Sequence, residues 1–123
     1  MKELVSPLLT NKYTRIFHED PGDMKFNAPH YFEVYESGDQ PVPAKELARI
    51  HFQEGPIKEN GVNGVANEDL INMVICRLEH FQRSEFACRE NEMALTKLEE
   101  ALMWLRKRTM GREARGVEGT HRV

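Results

Sequence analysis

The chain has little of what marks an exported, membrane-borne or metal-holding protein. Only two of its 123 residues are cysteine. Cys76 and Cys88 form neither a CxxC pair nor the dense framework that staples small secreted domains, so a reducing compartment suits them. No run approaches the ~20 apolar residues of a membrane helix. The start, Met1 to Leu9, lacks the apolar stretch of a signal peptide, and a soluble, unexported protein is expected. The five histidines, His18, His30, His51, His80 and His121, show no HExxH, HxH or Cys/His spacing, which argues against a zinc site. The loop Gly55 to Gly64 lacks Gly-Lys-Ser/Thr, and no GxGxxG pattern occurs, so a phosphate cradle of either known kind is not indicated. Cys76 lies near an apolar helical face and reads as packed core, and Cys88 has no activating neighbour beyond Arg89. Glu99 and Glu100, adjacent on a helix, point about 100° apart and cannot share a substrate. No nucleophile, general base, metal set or cofactor motif is present, so no catalytic residue is assigned and a non-enzyme is expected.

What remains is the composition of a folded domain. Hydrophobic residues make up 40% and charged residues 30%, compatible with a modest core. The length suits one domain over 1–123, divided into a β-rich N-terminal region (1–65), a helical hairpin (66–115) and a tail (116–123). Tyr13 to His18, Tyr31 to Glu36 and Leu47 to Phe52 are rich in aromatic or β-branched residues and read as three short strands. Turn chemistry separates them: Asp20-Pro21-Gly22-Asp23, the stretch Ser37 to Pro43, and the loop from Gly55 to Gly64. After Ala66 the period becomes helical through Leu70, Ile71, Val74, Ile75, Leu78 and Phe81. Asn67 is a plausible N-cap, with Glu68 and Asp69 where the helix dipole favours negative charge. A break at Arg83 to Phe86 precedes a second pattern, Leu95, Leu98, Leu102 and Leu105, for which Gly111 and Gly116 are candidate stops. The fold class is therefore α+β: a small N-terminal antiparallel sheet, then a long antiparallel αα-hairpin. Two helices cannot bury Ile71, Ile75, Met93, Met103 and Trp104 as well as the leucine seam. Either the sheet or a second copy of the chain covers the rest, and oligomerisation through the hairpin is expected.

Charge is distributed unevenly. Trp104 to Val123 carries six basic residues (Arg106, Lys107, Arg108, Arg112, Arg115, Arg122) against Glu113 and Glu118, a local +4 in a chain of net −3. The other 103 residues thus hold −7, and an acidic body with a basic tip suits an anion bound at one place. Arg108 and Arg112, at i,i+4, put two guanidinium groups on one helix face, a geometry that fits bidentate phosphate recognition. A favourable cation cluster at a helix C-terminus explains them equally well. Arg115-Gly116-Val117-Glu118-Gly119-Thr120 lets backbone amides approach a ligand at the glycines, or is a frayed end. Phe81 and Asn91 meet near the hairpin bend, where a base could stack. Core packing for Phe81 and a local cap for Asn91 are the plainer readings.

Phe52-Gln53-Glu54-Gly55-Pro56, Asn67-Glu68-Asp69-Leu70, Arg77-Leu78-Glu79-His80-Phe81-Gln82, Phe86-Ala87-Cys88, Leu95 through Trp104, and Arg115 through Thr120 together carry a family resemblance. The chain resembles the phage Thoeris anti-defence sponge proteins, whose C-terminal hairpin domain is shared with anti-CBASS cyclic-nucleotide sponges. The resemblance covers roughly residues 52–120. It implies a protein that binds cyclic ADP-ribose isomers made by host TIR-domain enzymes and holds them intact in the cytoplasm of the infected bacterium. It also implies hexamers built from dimers and, in some members, a separate pocket for cyclic oligonucleotides. By motif position Phe81, Asn91, Arg108 and Arg112 match the family's ligand contacts, with Arg115, Gly116, Val117, Gly119 and Thr120 beside them. Asn91 and Arg108, 17 residues apart, lie about 25 Å apart along one helix. A single pocket lined by all four residues would need two chains. The alternative from another class is a small DNA- or RNA-binding phage regulator using the basic tip, although no helix-turn-helix or RNA-binding motif supplies readout.

Overall fold

The computed structural model describes residues 1–38 and 44–123. The chain divides into two compact units, Met1–Gly64 and Val65–Val123.

The first unit is an antiparallel sheet of strands β1 (Lys2–Glu3), β2 (Thr14–His18), β3 (Tyr31–Glu36) and β4 (Glu46–His51), in the order β1-β2-β3-β4. The three strands expected from β-branched and aromatic runs are present, and β1 is an addition that two residues could not announce. Leu4 N–H donates to Ile16 O at 2.8 Å, and the Glu3–Arg15 pair at 2.6 Å pins the short edge. Opposed residues share a face of an antiparallel sheet. One face collects Ile16, His18, Phe32, Val34, Ala48 and Ile50, and the other collects Glu3, Arg15, Phe17, Glu33, Tyr35 and Arg49. The apolar face closes with His18 tilted against Phe32 at 5.7 Å and Phe32 edge-on to Phe52 at 5.4 Å. The turn expected over Ser37 to Pro43 falls largely on residues outside those described.

Pro21–Asp23 forms a 3-10 turn between β2 and β3. Just before it, the Glu19 carboxylate accepts from the backbone N–H groups of His30 at 3.1 Å and Tyr31 at 3.2 Å. Burial would push this carboxyl up, but those bonds outweigh it and hold Glu19 below the ordinary carboxylate range. A depressed folded value means that Glu19 stabilises the fold fully above its unfolded value. That contribution disappears as pH falls through the lower folded value. Glu19→Gln should therefore lower the melting temperature near neutral pH and shrink the fall on acidification below about pH 4.5. Parallel thermal melts from pH 7 to pH 3 check this, and an unaltered acid limb would rule it out.

The loop after β4 is tied to itself. Gln53 Nε2 donates to Gly55 O at 3.1 Å and Gly61 O at 2.7 Å, Asn63 N–H donates to Gln53 Oε1 at 3.0 Å, and Glu54 N–H donates to Asn63 Oδ1 at 2.8 Å. Inside it the helix α1 (Ile57–Asn60) makes a single turn.

The second unit is the helical hairpin, α2 (Asn67–Gln82) and α3 (Arg89–Ala114). Asn67 is the first helical residue and not the cap. The cap is Ala66, whose N–H donates to Asp69 Oδ2 at 2.8 Å while its carbonyl accepts from Asp69 N–H at 3.1 Å. Side chains fasten the bend: Gln82 Nε2 donates to Cys88 O and Cys88 N–H donates to Gln82 Oε1, both at 3.0 Å, and Ser84 Oγ donates to Phe81 O at 2.6 Å. Ile75 of α2 and Leu95 of α3 are the buried apolar residues of the hairpin. Gly111 does not stop α3. The helix runs through it to the cap at Arg115, and Gly116, at φ +74°, turns the chain out. Cys76, read from sequence as core, is exposed. It stands one residue from Ile75, about 100° around the helix, and a single partner helix covers only the middle of so wide an apolar stripe.

Candidate functional site

α3 has 26 residues and α2 has 16, so the C-terminal end of α3 outruns its partner by ten residues, about 15 Å. The basic residues lie on this protruding end. Trp104, Lys107, Arg108, Gly111 and Arg115 line one shallow groove of about 400 Å3, with Gly111 as a floor without a side chain. Lys107 Nζ sits 4.9 Å from the centre of the Trp104 ring, which is 61% exposed. Arg106 is compensated by Glu113 at 3.1 Å. Among the described residues the side chains of Arg108 and Arg115 have neither an ion pair nor a hydrogen bond, and no carboxylate reaches Lys107. Three cations beside an exposed indole make a place where an anion with an aromatic part can be held.

Arg112 is placed differently. Arg108 and Arg112 are spaced for one helix face, yet Arg112 is half-buried and turned to the chain that follows α3, where its Nη2 donates to the carbonyls of Val117, Thr120 and Arg122. The tail is folded, with Gly116 and Gly119 both at φ +74° and Val117, Gly119 and Thr120 half-buried. Trp104 and Lys107 line this groove but are not among the ligand-contact candidates read from the sequence. The signal is available, since positions 104, 108, 111 and 115 form one stripe of an α-helix.

Phe81 and Asn91 belong to the other end of the hairpin, one residue before the end of α2 and two after the start of α3. Phe81 is 38% exposed, edge-on to Phe86 at 6.5 Å, with Arg77 5.4 Å over its ring. Cys76, Arg77, His80, Phe81, Ser84 and Phe86 line a second shallow groove of about 440 Å3. Within one hairpin these aromatics are thus separated from the Arg108 groove by most of the length of α3. No group of three or more His, Cys, Asp or Glu side chains that could hold a metal occurs among the described residues. No helix there is long and apolar enough to cross a membrane.

These features define a helical-hairpin protein with a basic, indole-lined groove at one end and an aromatic groove at the bend. Residues 44–110 match the family model described as Acb2/Tad1, hairpin domain. The chain is also 54% identical over 140 aligned positions to a protein named Thoeris anti-defense 1 from Bacillus phage SBSphiJ7, an alignment that covers 98% of this chain and 99% of the relative. The chain belongs to the Acb2/Tad1 hairpin-domain family.

Proposed function

We propose that this protein is a phage anti-defence sponge that captures cyclic ADP-ribose isomers, without degrading them, and so starves a host TIR-based Thoeris defence of its signal. The relative's name, Thoeris anti-defense 1, supports the biological setting. The observation that carries the chemistry is the groove of Lys107, Arg108 and Arg115 beside exposed Trp104, cations without carboxylate partners next to an aromatic face. A pyrophosphate suits the guanidinium forks and a base suits the rings. The tail residues Gly116, Val117, Gly119 and Thr120 border the same end, with Arg112 behind them. Phe81 and Asn91 complete the pocket from a second hairpin, since one chain holds them too far away. Self-association also accounts for the exposure of Met73, Met103, Trp104 and Met110 at 54% or more on a hairpin with only Ile75 and Leu95 buried. The protein works in the cytoplasm of the infected bacterium, where the signal is made. Sequestration needs slow release and no reactive group.

Native mass spectrometry with a cyclic ADP-ribose isomer tests this in one measurement. The expected result is an oligomer carrying intact ligand that is recovered unchanged in mass when the protein is denatured. Ligand consumed during incubation, or absent from every oligomer, would overturn the reading.

A further inference from the structure

The bend between α2 and α3 closes on a carboxamide. Cys88, the residue before α3, is extended at φ −153° and ψ 161°, and an extended residue turns its N–H and C=O to the same side. Gln82, the last residue of α2, meets both: its Nε2 donates to Cys88 O and its Oε1 accepts from Cys88 N–H, each at 3.0 Å. The same Nε2 also donates to Glu92 Oε2 at 3.2 Å, in the first turn of α3. This half-buried amide therefore pairs with the backbone as a neighbouring strand would, and its bonds run from α2 across to α3. Those of Ser84 reach no further than Phe81 O and Phe86 N–H. The clasp lies between two side chains, Phe81, next to Gln82, and Asn91, next to Glu92. Asn91 is half-buried, and among the described residues its amide makes no hydrogen bond.

We infer that Gln82 is a positioning residue: by joining the end of α2 to the start of α3 it fixes the separation of the Phe81 ring and the Asn91 amide, and it acts on the captured nucleotide through them. This rests on the binding function proposed above, in which those two residues form the bend's share of the pocket. A bend freed from the clasp lets the two groups drift, and apparent affinity falls by the fraction of molecules that still hold the spacing. Glutamine suits the task by chemistry as well as reach, since its amide is donor and acceptor at one end. A glutamate of the same length keeps only the acceptor and sets a second carboxylate beside Glu92.

Titration calorimetry on the full chain with a cyclic ADP-ribose isomer separates positioning from contact. Gln82→Ala and Gln82→Glu should each weaken binding about tenfold, as when about a tenth of the molecules keep the spacing. With Asn91→Ala already present there is no spacing left to hold, and Gln82→Ala should change affinity by a factor near one. Equal weakening in both backgrounds would mean that Gln82 touches the ligand itself. Full affinity in Gln82→Glu would mean that the side chain serves by bulk alone. Either result overturns the inference. Hydrogen exchange on the ligand-free protein gives a second readout. The amides of residues 83–88 should exchange faster in Gln82→Ala, while those around Ile75 and Leu95 stay as slow as before. An unchanged bend would sink the clasp, and so would exchange quickened equally along the whole hairpin, which marks a general loss of stability. If the natural chain takes up no cyclic ADP-ribose isomer, the binding function is what fails and the positioning role falls with it. The exchange measurement then still decides whether Gln82 orders the bend.

Discussion

Arg108→Ala should weaken binding of a cyclic ADP-ribose isomer roughly ten- to a hundredfold while leaving the helix content unchanged. Arg108 is exposed in the groove with Trp104, Lys107, Gly111 and Arg115, and among the described residues its side chain has no hydrogen bond or ion pair to lose. The substitution therefore removes only what the ligand would use. Hydrogen bonds to a charged group contribute about 1.5–3 kcal/mol, and each ~1.4 kcal/mol is a factor of ten in affinity. Alanine is the best helix former, so α3 should keep its length. Arg108→Lys should recover only some of the loss, because an ammonium keeps the charge but cannot present two parallel donors. Lys97→Ala is the matched control, a surface cation of α3 that already faces Glu100 at 3.8 Å. Calorimetric titration of the three variants decides the matter. Undiminished affinity in a folded Arg108→Ala would remove the groove from consideration as the anion site.

Gly64→Ala should be strongly destabilising. A Cβ there would stand 2.5 Å from the carbonyl carbon and oxygen of Phe52 and 2.6 Å from His51 O. All three atoms are backbone, and that backbone is not loose, because His51 closes β4 and Phe52 N–H donates to His30 O at 2.7 Å. Relief would have to displace the end of a strand. Overpacking ordinarily costs about 1–3 kcal/mol. With only backbone to yield, the upper end applies, which for a domain this small is a drop in melting temperature on the order of 10–20 °C. Differential scanning calorimetry would read it, and a melting temperature within a degree or two of the natural chain would show that the strand end moves freely.

The hairpin is legible in the sequence because its period of apolar residues is long, and Ile75 and Leu95 are indeed its buried apolar residues. The start of α2 reads one residue off because Asn67 has a capping side chain, whereas the structure uses the carboxylate of Asp69 on the N–H of Ala66. A side chain three positions inside a helix can serve as a cap. Gly111 reads as a stop, yet one glycine in a strong helical pattern costs only about 1 kcal/mol. In the candidate site, spacing pairs Arg108 with Arg112. Spacing fixes where a side chain leaves a helix, not what its far end touches, and the tail carbonyls claim Arg112. The exposure of Cys76 has the same origin. The apolar stripe of α2 is wider than one partner helix covers, and sequence shows the width of a stripe without showing what is laid on it.

The strand order β1-β2-β3-β4 is the order of synthesis. Each strand finds its partner in the strand made just before it, and the two long helices meet across a bend of six residues. Contacts close in sequence need little loop entropy to form, and chains built from them reach the native state quickly. A ribosome releasing this chain from its N-terminus therefore never exposes a finished strand that must wait for one made much later. Each pairing can close as soon as its second half emerges, which shortens the time that the apolar face of the sheet and the leucine seam are open to aggregation.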